Sequence, residues 1–399
     1  MARKFVVVVM ALAISLLGAV PVFAQAPASS QGQAPSSPVA SHDGGAVYIQ
    51  SNSPSGNQVL VFNRAADGSL TYSGSFTTGG NGSGVGVTVP PDPLGSQNSL
   101  LLSPDGKWLF AVNAGSNEVS SLKVVPGGLV LVDKASSGGS YPVSLTYFDG
   151  LLYALNAAGD GSISGFRVLA NGHLVPLRGS TRSLHAATPA DGAQPQILES
   201  PAEVGFSPDG RFLAITDKGG VSGVGKIDVF KMDDGLPSVH FVTTQTAGAV
   251  PFDFTFDRYG HLVAVDASTG SVTSYTIHHD ASLSVNSVAY TGQAATCWVT
   301  SRGGDVYTDN TGSGTLSGFI PSPNGGLTPV TASSIVANAG ASALPLDMGI
   351  SHDARFIYSL ETGAGVIGIF RVQSDGTLAS LGTAGSYPAV GGFQGIAVR

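Results

Sequence analysis

SLLLSPDGKWLFAVN, residues 99–113, decides the fold. It reads as a short apolar strand, a tight turn and a second apolar strand that ends on a polar residue. The phrase returns as EVGFSPDGRFLAITD at 203–217 and DMGISHDARFIYSLE at 347–361. Weaker copies are VSLTYFDGLLYALN at 143–156, DFTFDRYGHLVAVD at 253–266 and CWVTSRGGDVYTDN at 297–310. A third strand follows each copy: NEVSSLKV, GSISGFRV, GKIDVFKM, GSVTSYTI, GTLSGFI and GVIGIFRV. A fourth follows turns such as DGSL, NGHL, NGGL and DGTL. Apolar alternation bounded by Gly, Asn and Asp turns makes antiparallel hairpins. Four such strands, repeated at roughly 45–60 residues, are one blade of a β-propeller.

Six copies are whole and the seventh is split. AVYIQS at 46–51 matches a second strand with no first strand before it, and FQGIAVR at 393–399 matches a first strand with no second after it. The two halves complete one blade, and pairing them removes an open sheet edge. The sequence therefore predicts an all-β, seven-bladed propeller over 44–399, with four antiparallel strands per blade, closed by pairing the C-terminal strand with the N-terminal blade. A β-sandwich or two separate β domains would not need complementary termini.

The first 24 residues read as a signal peptide. Arg3 and Lys4 precede an apolar run from Phe5 to Val20, and Val22-Phe23-Ala24 suits cleavage after Ala24. The alternative is a retained anchor, because the run approaches the shortest length that spans a bilayer. Residues 25–43, rich in Ala, Ser, Gln and Pro, read as a disordered tether. No second long apolar run follows, so no membrane span is expected after cleavage, and the location expected is secreted or periplasmic. The net charge is −8, and −10 once Arg3 and Lys4 leave with the leader (16 basic against 26 acidic residues). That balance, without a Lys/Arg cluster, argues against nucleic acid as a partner. Cys297 is the only cysteine, which excludes an intramolecular disulfide. A monomer is expected.

The SPDG(R/K) phrase followed by an (I/V)-x-(V/G)-(F/Y) strand resembles the lactonase family of seven-bladed propellers, which includes 6-phosphogluconolactonase and carboxymuconate cyclases. The resemblance covers essentially all of 44–399. It implies a His after a Pro at the start of one innermost strand, an Arg at the matching place in the next blade, and a Glu at the end of that blade's second strand. The Pro landmarks are Pro201, Pro251 and Pro345, but Ala202, Phe252 and Leu346 follow them. The place of the Glu falls on Lys218 or Ala267, and only Glu361 keeps a carboxylate there. The catalytic His/Arg/Glu set that the resemblance implies is not matched.

One position further along the inner strands stand Glu203, Asp253 and Asp347, with Ser99, Val143, Cys297 and Gly395 aligned in the other blades. These three carboxylates are the catalytic candidates, and they are also the candidate ligands for a hard cation such as calcium or magnesium. The second strands end in Asn113, Asn156, Asp217, Asp266, Asn310 and Glu361, which would form a ligand-binding rim if all faced the channel. The competing reading is that strand-end Asp and Asn accept backbone hydrogen bonds in turns. His278-His279-Asp280 reads as a solvated turn, Cys297 as core, and His352 and Arg302 as turn residues. GGNGSGVG at 79–86 lacks the Lys and Ser/Thr of a phosphate loop. The 179–200 insertion, with Arg178, Arg182 and His185, would lid the channel and supply cations unless it lies on the outer edge. Three functions stay open: hydrolysis of a small sugar or organic-acid lactone, binding of a small molecule, cation or protein at the channel mouth, and a structural role at the cell envelope.

Overall fold

Seven antiparallel sheets, each built on one copy of the repeated phrase, follow one another along the chain. The computed structural model describes residues 44–86, 91–186, 194–219 and 223–399. The leader and tether expected at 1–24 and 25–43 lie outside them. Among the described residues every regular element is a strand, and no helix is long and apolar enough to cross a membrane.

Blades are numbered in chain order. The innermost strands of blades 2 to 7 are Leu100–Leu102, Pro142–Phe148, Pro201–Phe206, Pro251–Phe256, Thr296–Ser301 and Pro345–Ile350. Blade 1 takes its innermost strand, Ile396–Val398, from the C-terminus, where it pairs antiparallel with Val47, Tyr48 and Ile49. Further bonds run from Gln50 N to Gly395 O (3.0 Å) and from Arg399 N to Ala46 O (2.8 Å). In blades 3, 4 and 6 two short segments pair with the third strand in place of one continuous outer strand.

The repeated turn explains its own recurrence. In blade 2, Ser103 Oγ donates to Asp105 (2.7 Å) and accepts from Trp108 N (3.0 Å), while Lys107 N donates to Asp105 (3.1 Å). The same three bonds recur at Ser207-Asp209-Phe212 and Ser351-Asp353-Phe356. Gly106 sits at φ +67°, a left-handed conformation that suits glycine. Blade-to-blade spacing is set by second-strand tyrosines. Tyr153, Tyr307 and Tyr358 are buried, and their hydroxyls donate to the carbonyls of Gly235, Gly376 and Gly68 in the next blade. Each aromatic ring thus fills the space between two sheets while its polar tip is satisfied.

All inner strands begin on one face, here called upper. The Ser-x-Asp turns stand on the lower face. Lining the channel between them are the inner strands.

Candidate functional site

Residues 91–98, PDPLGSQN, cross the channel at the upper face and are buried apart from a half-buried Asn98. Its polar atoms tie it to several walls at once. Ser96 O accepts from Trp298 Nε1 of blade 6 (3.0 Å) and from Gln394 Nε2 of blade 1 (2.6 Å). Leu94 N donates to Gln394 Oε1 (3.0 Å). Tyr141 of blade 3 donates to Pro93 O (2.8 Å), and Ser96 Oγ donates to Val143 O (2.8 Å). Asn98 Nδ2 donates to Glu203 of blade 4 (2.8 Å). The segment is a plug, held by blades 1, 3, 4 and 6.

Two buried groups of opposite charge meet the plug at Gly95, Lys218 from below and Asp92 within the segment. Lys218, at the end of the second strand of blade 4, is 2 % exposed, and Asp92 is 4 % exposed. The Lys218 ammonium donates to Gly95 O (2.5 Å) and lies 4.5 Å from the centre of the Phe252 ring. Asp92 accepts from Gly95 N (2.8 Å). Burial pushes the Asp92 carboxyl up to about 6 and the Lys218 ammonium down to about 8. Each partner opposes the other's shift, yet both shifts run against the charged form, so dehydration outweighs attraction here.

The three candidate carboxylates all line the channel wall, and each accepts a backbone N–H from the next blade. Glu203 takes Phe254 N (2.6 Å), Asp253 takes Val299 N (2.7 Å) and Asp347 takes Ile396 N (3.1 Å). Ser144 does the same for Val204 N (3.2 Å). The alignment from sequence is corrected in two blades. The register shift after the first inner-strand residue is common to blades 3 to 7, and the column lies two residues on, so Ser144 and Trp298, not Val143 and Cys297, share it with Glu203 and Asp253. Asp253 Oδ1 has no N–H partner and faces Glu203, and a proton on Asp253 turns that repulsion into a hydrogen bond. Asp309, absent from the sequence candidates, joins the group. It is buried, accepts from Ser359 Oγ, and is raised by burial and by the charges of Asp347 and Glu361.

These groups fix how stability depends on pH. Burial raises Glu203 and Glu361 to about 7. A carboxyl whose folded value lies above its unfolded one contributes stability that is complete below the unfolded value, near 4.5, and is lost as pH rises to 7. The urea midpoint is therefore expected to fall between pH 4.5 and 7. A midpoint that rises over that interval would contradict the burial of these acids.

The second-strand ends do not converge. All are buried, and five of them bond near their own position in the sheet. Asn113 accepts from Thr78 Oγ1 (2.7 Å) and donates to Ser120 Oγ (2.8 Å), and Asn310 donates to Thr315 and Ser317. Asn156 donates to Ser137 O and Ser162 Oγ, and Asp266 caps the turn at Ser268 and Thr269. Asp217 pairs with Lys226 (3.1 Å). Glu361 packs against Gly368, with burial as the one cause of its shift. Among the described residues no three His, Cys, Asp or Glu side chains come together as a metal site. Cys297 is core, its thiol pushed up by burial, and His278 to Asp280 form an exposed turn.

The insertion divides. Arg182–Ser183 pairs with the third strand of blade 3, and the Arg182 guanidinium bonds the carbonyls of Ser238 and Pro237, so it lies on the outer edge and supplies no cation to the channel. Ile197 is buried beside Gly95, where an added Cβ would meet it, so the far end of the insertion does lie on the plug. Residues 187–193 lie outside the described residues.

At the lower face the channel stays open. A hollow of about 570 Å³ runs from the turns up to Gln97 and Asn98, walled by inner strands of blades 1, 2, 6 and 7. On the opposite side aromatic rings fill the space, as in the Phe148–Phe206 contact at 5.6 Å.

Blade number and closure define the class of fold, a seven-bladed β-propeller. Residues 178–300 match the family model described as "Lactonase, 7-bladed beta-propeller". A putative 6-phosphogluconolactonase from Bacteroides fragilis superposes with a TM-score of 0.69 at 17% identity, covering 91% of this chain and 100% of that one. The periplasmic gluconolactonase of Pseudomonas aeruginosa gives 0.68 at 19% identity, covering 89% and 99%. A streptogramin B lyase gives 0.51 at 15% identity, covering 74% and 85%. At these identities the likeness is one of fold. No curated protein matches the sequence.

Proposed function

We propose that the chain is an extracytoplasmic binding propeller that takes a small ligand into its channel from the lower face, and that it does not hydrolyse lactones by the family's route. The observation that carries this reading is the filled upper mouth. Residues 91–98 stand over the starts of the inner strands, where Ala202, Phe252 and Leu346 replace the titratable groups the resemblance implies. Glu203, Asp253 and Asp347 are engaged in holding neighbouring blades. The hollow on the lower face falls within the size range of small-molecule sites, about 300–1,000 Å³. The leader-like start of the sequence supports export.

The test is a panel of sugar and organic-acid lactones followed with a pH indicator, with and without calcium. The rate expected is that of buffer alone. One observation favours a second reading, lactone hydrolysis at the upper mouth. Lys218, lowered to about 8 beside Asp92, has the poise of a general base. Turnover that vanishes in Lys218→Met would establish that reading and overturn the first.

A further inference from the structure

We infer that the lower hollow is a carboxylate site anchored by Arg64, with room for an apolar body along the channel wall. This rests on the binding reading above and names the ligand's chemistry. Arg64 lies in the third strand of blade 1, is 6 % exposed and lines the hollow. Its Nε donates to Arg399 O (3.3 Å), its Nη1 has no hydrogen-bond partner, and Asp353 stands 3.7 Å away from Nη1. Two other unpartnered polar atoms line the same hollow, Ser301 Oγ at the rim and Gln97 Oε1 at the inner end. A buried polar atom left unpaired is costly, so three such atoms around one cavity mark it as a place suited to a polar ligand.

Two of the three, both at the rim, are able to donate, and the strongest is a guanidinium. Its planar fork matches a carboxylate in a bidentate pair. The local sequence is arranged for that approach. A Cβ on Gly45 would strike the Arg399 carbonyl and come within 2.8 Å of Arg64 Nε, so the glycine keeps the guanidinium in place. Blade 6 carries SRGG at 301–304 where blades 2 and 4 carry SPDG, so one rim acid is absent and Arg302 stands beside it. Asp105, the acid of the blade 2 turn, is already paired with Lys107 (2.9 Å). Below the rim the lining is mixed, with Leu102 and Val398 supplying its apolar part beside Thr300 and Gln97. A carboxylate with an uncharged hydrocarbon body fits both halves.

The experiment is calorimetric titration of the purified protein at low salt with aliphatic and aromatic monocarboxylates of up to about ten carbons, each beside its neutral amide, since the amide retains shape and loses charge. Saturable binding of at least one acid is expected, with its amide about tenfold or more weaker. Arg64→Lys, which keeps the charge and loses the fork, is expected to weaken the acid about tenfold. Arg302→Gln lies on an exposed turn and guards against misfolding of the buried variant, and it should weaken the acid about threefold, less at high salt. No saturable binding of any acid overturns the inference, and so does binding that is equal for acid and amide or indifferent to both variants. Binding of a neutral compound in the hollow would leave the binding function standing without the carboxylate, whereas lactone turnover without any binding there would remove both.

Discussion

Deleting residues 393–399 is expected to abolish cooperative folding, the largest effect of any single change considered. The deleted strand supplies Ile396, Ala397 and Val398, all under 10 % exposed, to the cores on both sides of blade 1. It also supplies Gln394, whose side chain holds Leu94 N and Ser96 O of the plug, and the N–H that Asp347 accepts. Without it Val47, Tyr48 and Ile49 become an open edge at the channel, and blades 7 and 2 lose a neighbour. In a closed ring each blade has two neighbours, so opening one joint exposes two apolar faces at once. Burial of a large apolar side chain contributes about 1.5–3 kcal/mol, so Ile396, Val398 and Phe393 alone account for a loss comparable to the whole stability of an ordinary domain, about 5–15 kcal/mol, before the exposed faces of the neighbours are added. The measurement is a urea titration followed by far-ultraviolet circular dichroism and Trp fluorescence. A single sharp transition in the truncated protein would show that closure is not what holds the ring. Adding the peptide 393–399 in trans is expected to restore part of the transition, because strand pairing does not require a covalent link.

The ring and its closure were legible from sequence because both rest on local chemistry. Tight turns between alternating strands write themselves into every copy, with Ser-x-Asp in three of them, and a split repeat has one closing solution. Residues at the site were harder to read, for two physical reasons. First, a one-residue bulge after the inner-strand Pro moves each side chain to the other face of its strand. That bulge recurs in blades 3 to 7, so the wall carries Ser144, two residues after Pro142 as Glu203 is after Pro201, while the repeat, whose first hairpin is shorter in blade 3, places Val143 in that column. Second, the plug belongs to no blade. PDPLGSQN follows no repeat, and its function depends on partners far away in sequence, such as Trp298 and Gln394. One signal was present. The stretch between the outer strand ending at Thr77 and the inner strand starting at Leu100 is longer than the other blade connections, and long connections in compact folds tend to carry function. Strand-end Asn and Asp residues do not form a rim for a related reason: their position on the sequence ladder was right, but their side chains are taken up by bonds within their own sheet or with the adjoining blade.

Lys218→Met is expected to loosen the plug at pH 8 and to do little at pH 5. Asp92 and Lys218 are ionised together only between about 6 and 8. For Asp92 the folded value lies above the unfolded 3.8, so stability falls as pH rises from 3.8 to 6. For Lys218 the folded value lies below 10.5, so stability is regained as pH rises from 8 to 10.5. The pair is therefore weakest as a fastening in the neutral window where both charges are present. Removing one charge there leaves the other buried with less compensation, which is destabilising, whereas removing both is often neutral or favourable. At pH 5 Asp92 is already protonated, so Lys218→Met leaves no naked anion. Asp92→Asn should show the mirror image, severe near pH 7 and mild above pH 9, and Asp92→Asn with Lys218→Met should be at least as stable as the parent near pH 7. Trp298 reports directly, because its indole N–H is bonded to Ser96 O of the plug. Loss of that bond should shift its emission to the red, while Trp108, far out on the blade 2 second strand, stays unchanged. Equal loss for Lys218→Met at pH 5 and pH 8 would mean that Lys218 acts by packing on Phe252 and not by charge. A double variant weaker than either single one would mean that attraction outweighs dehydration after all.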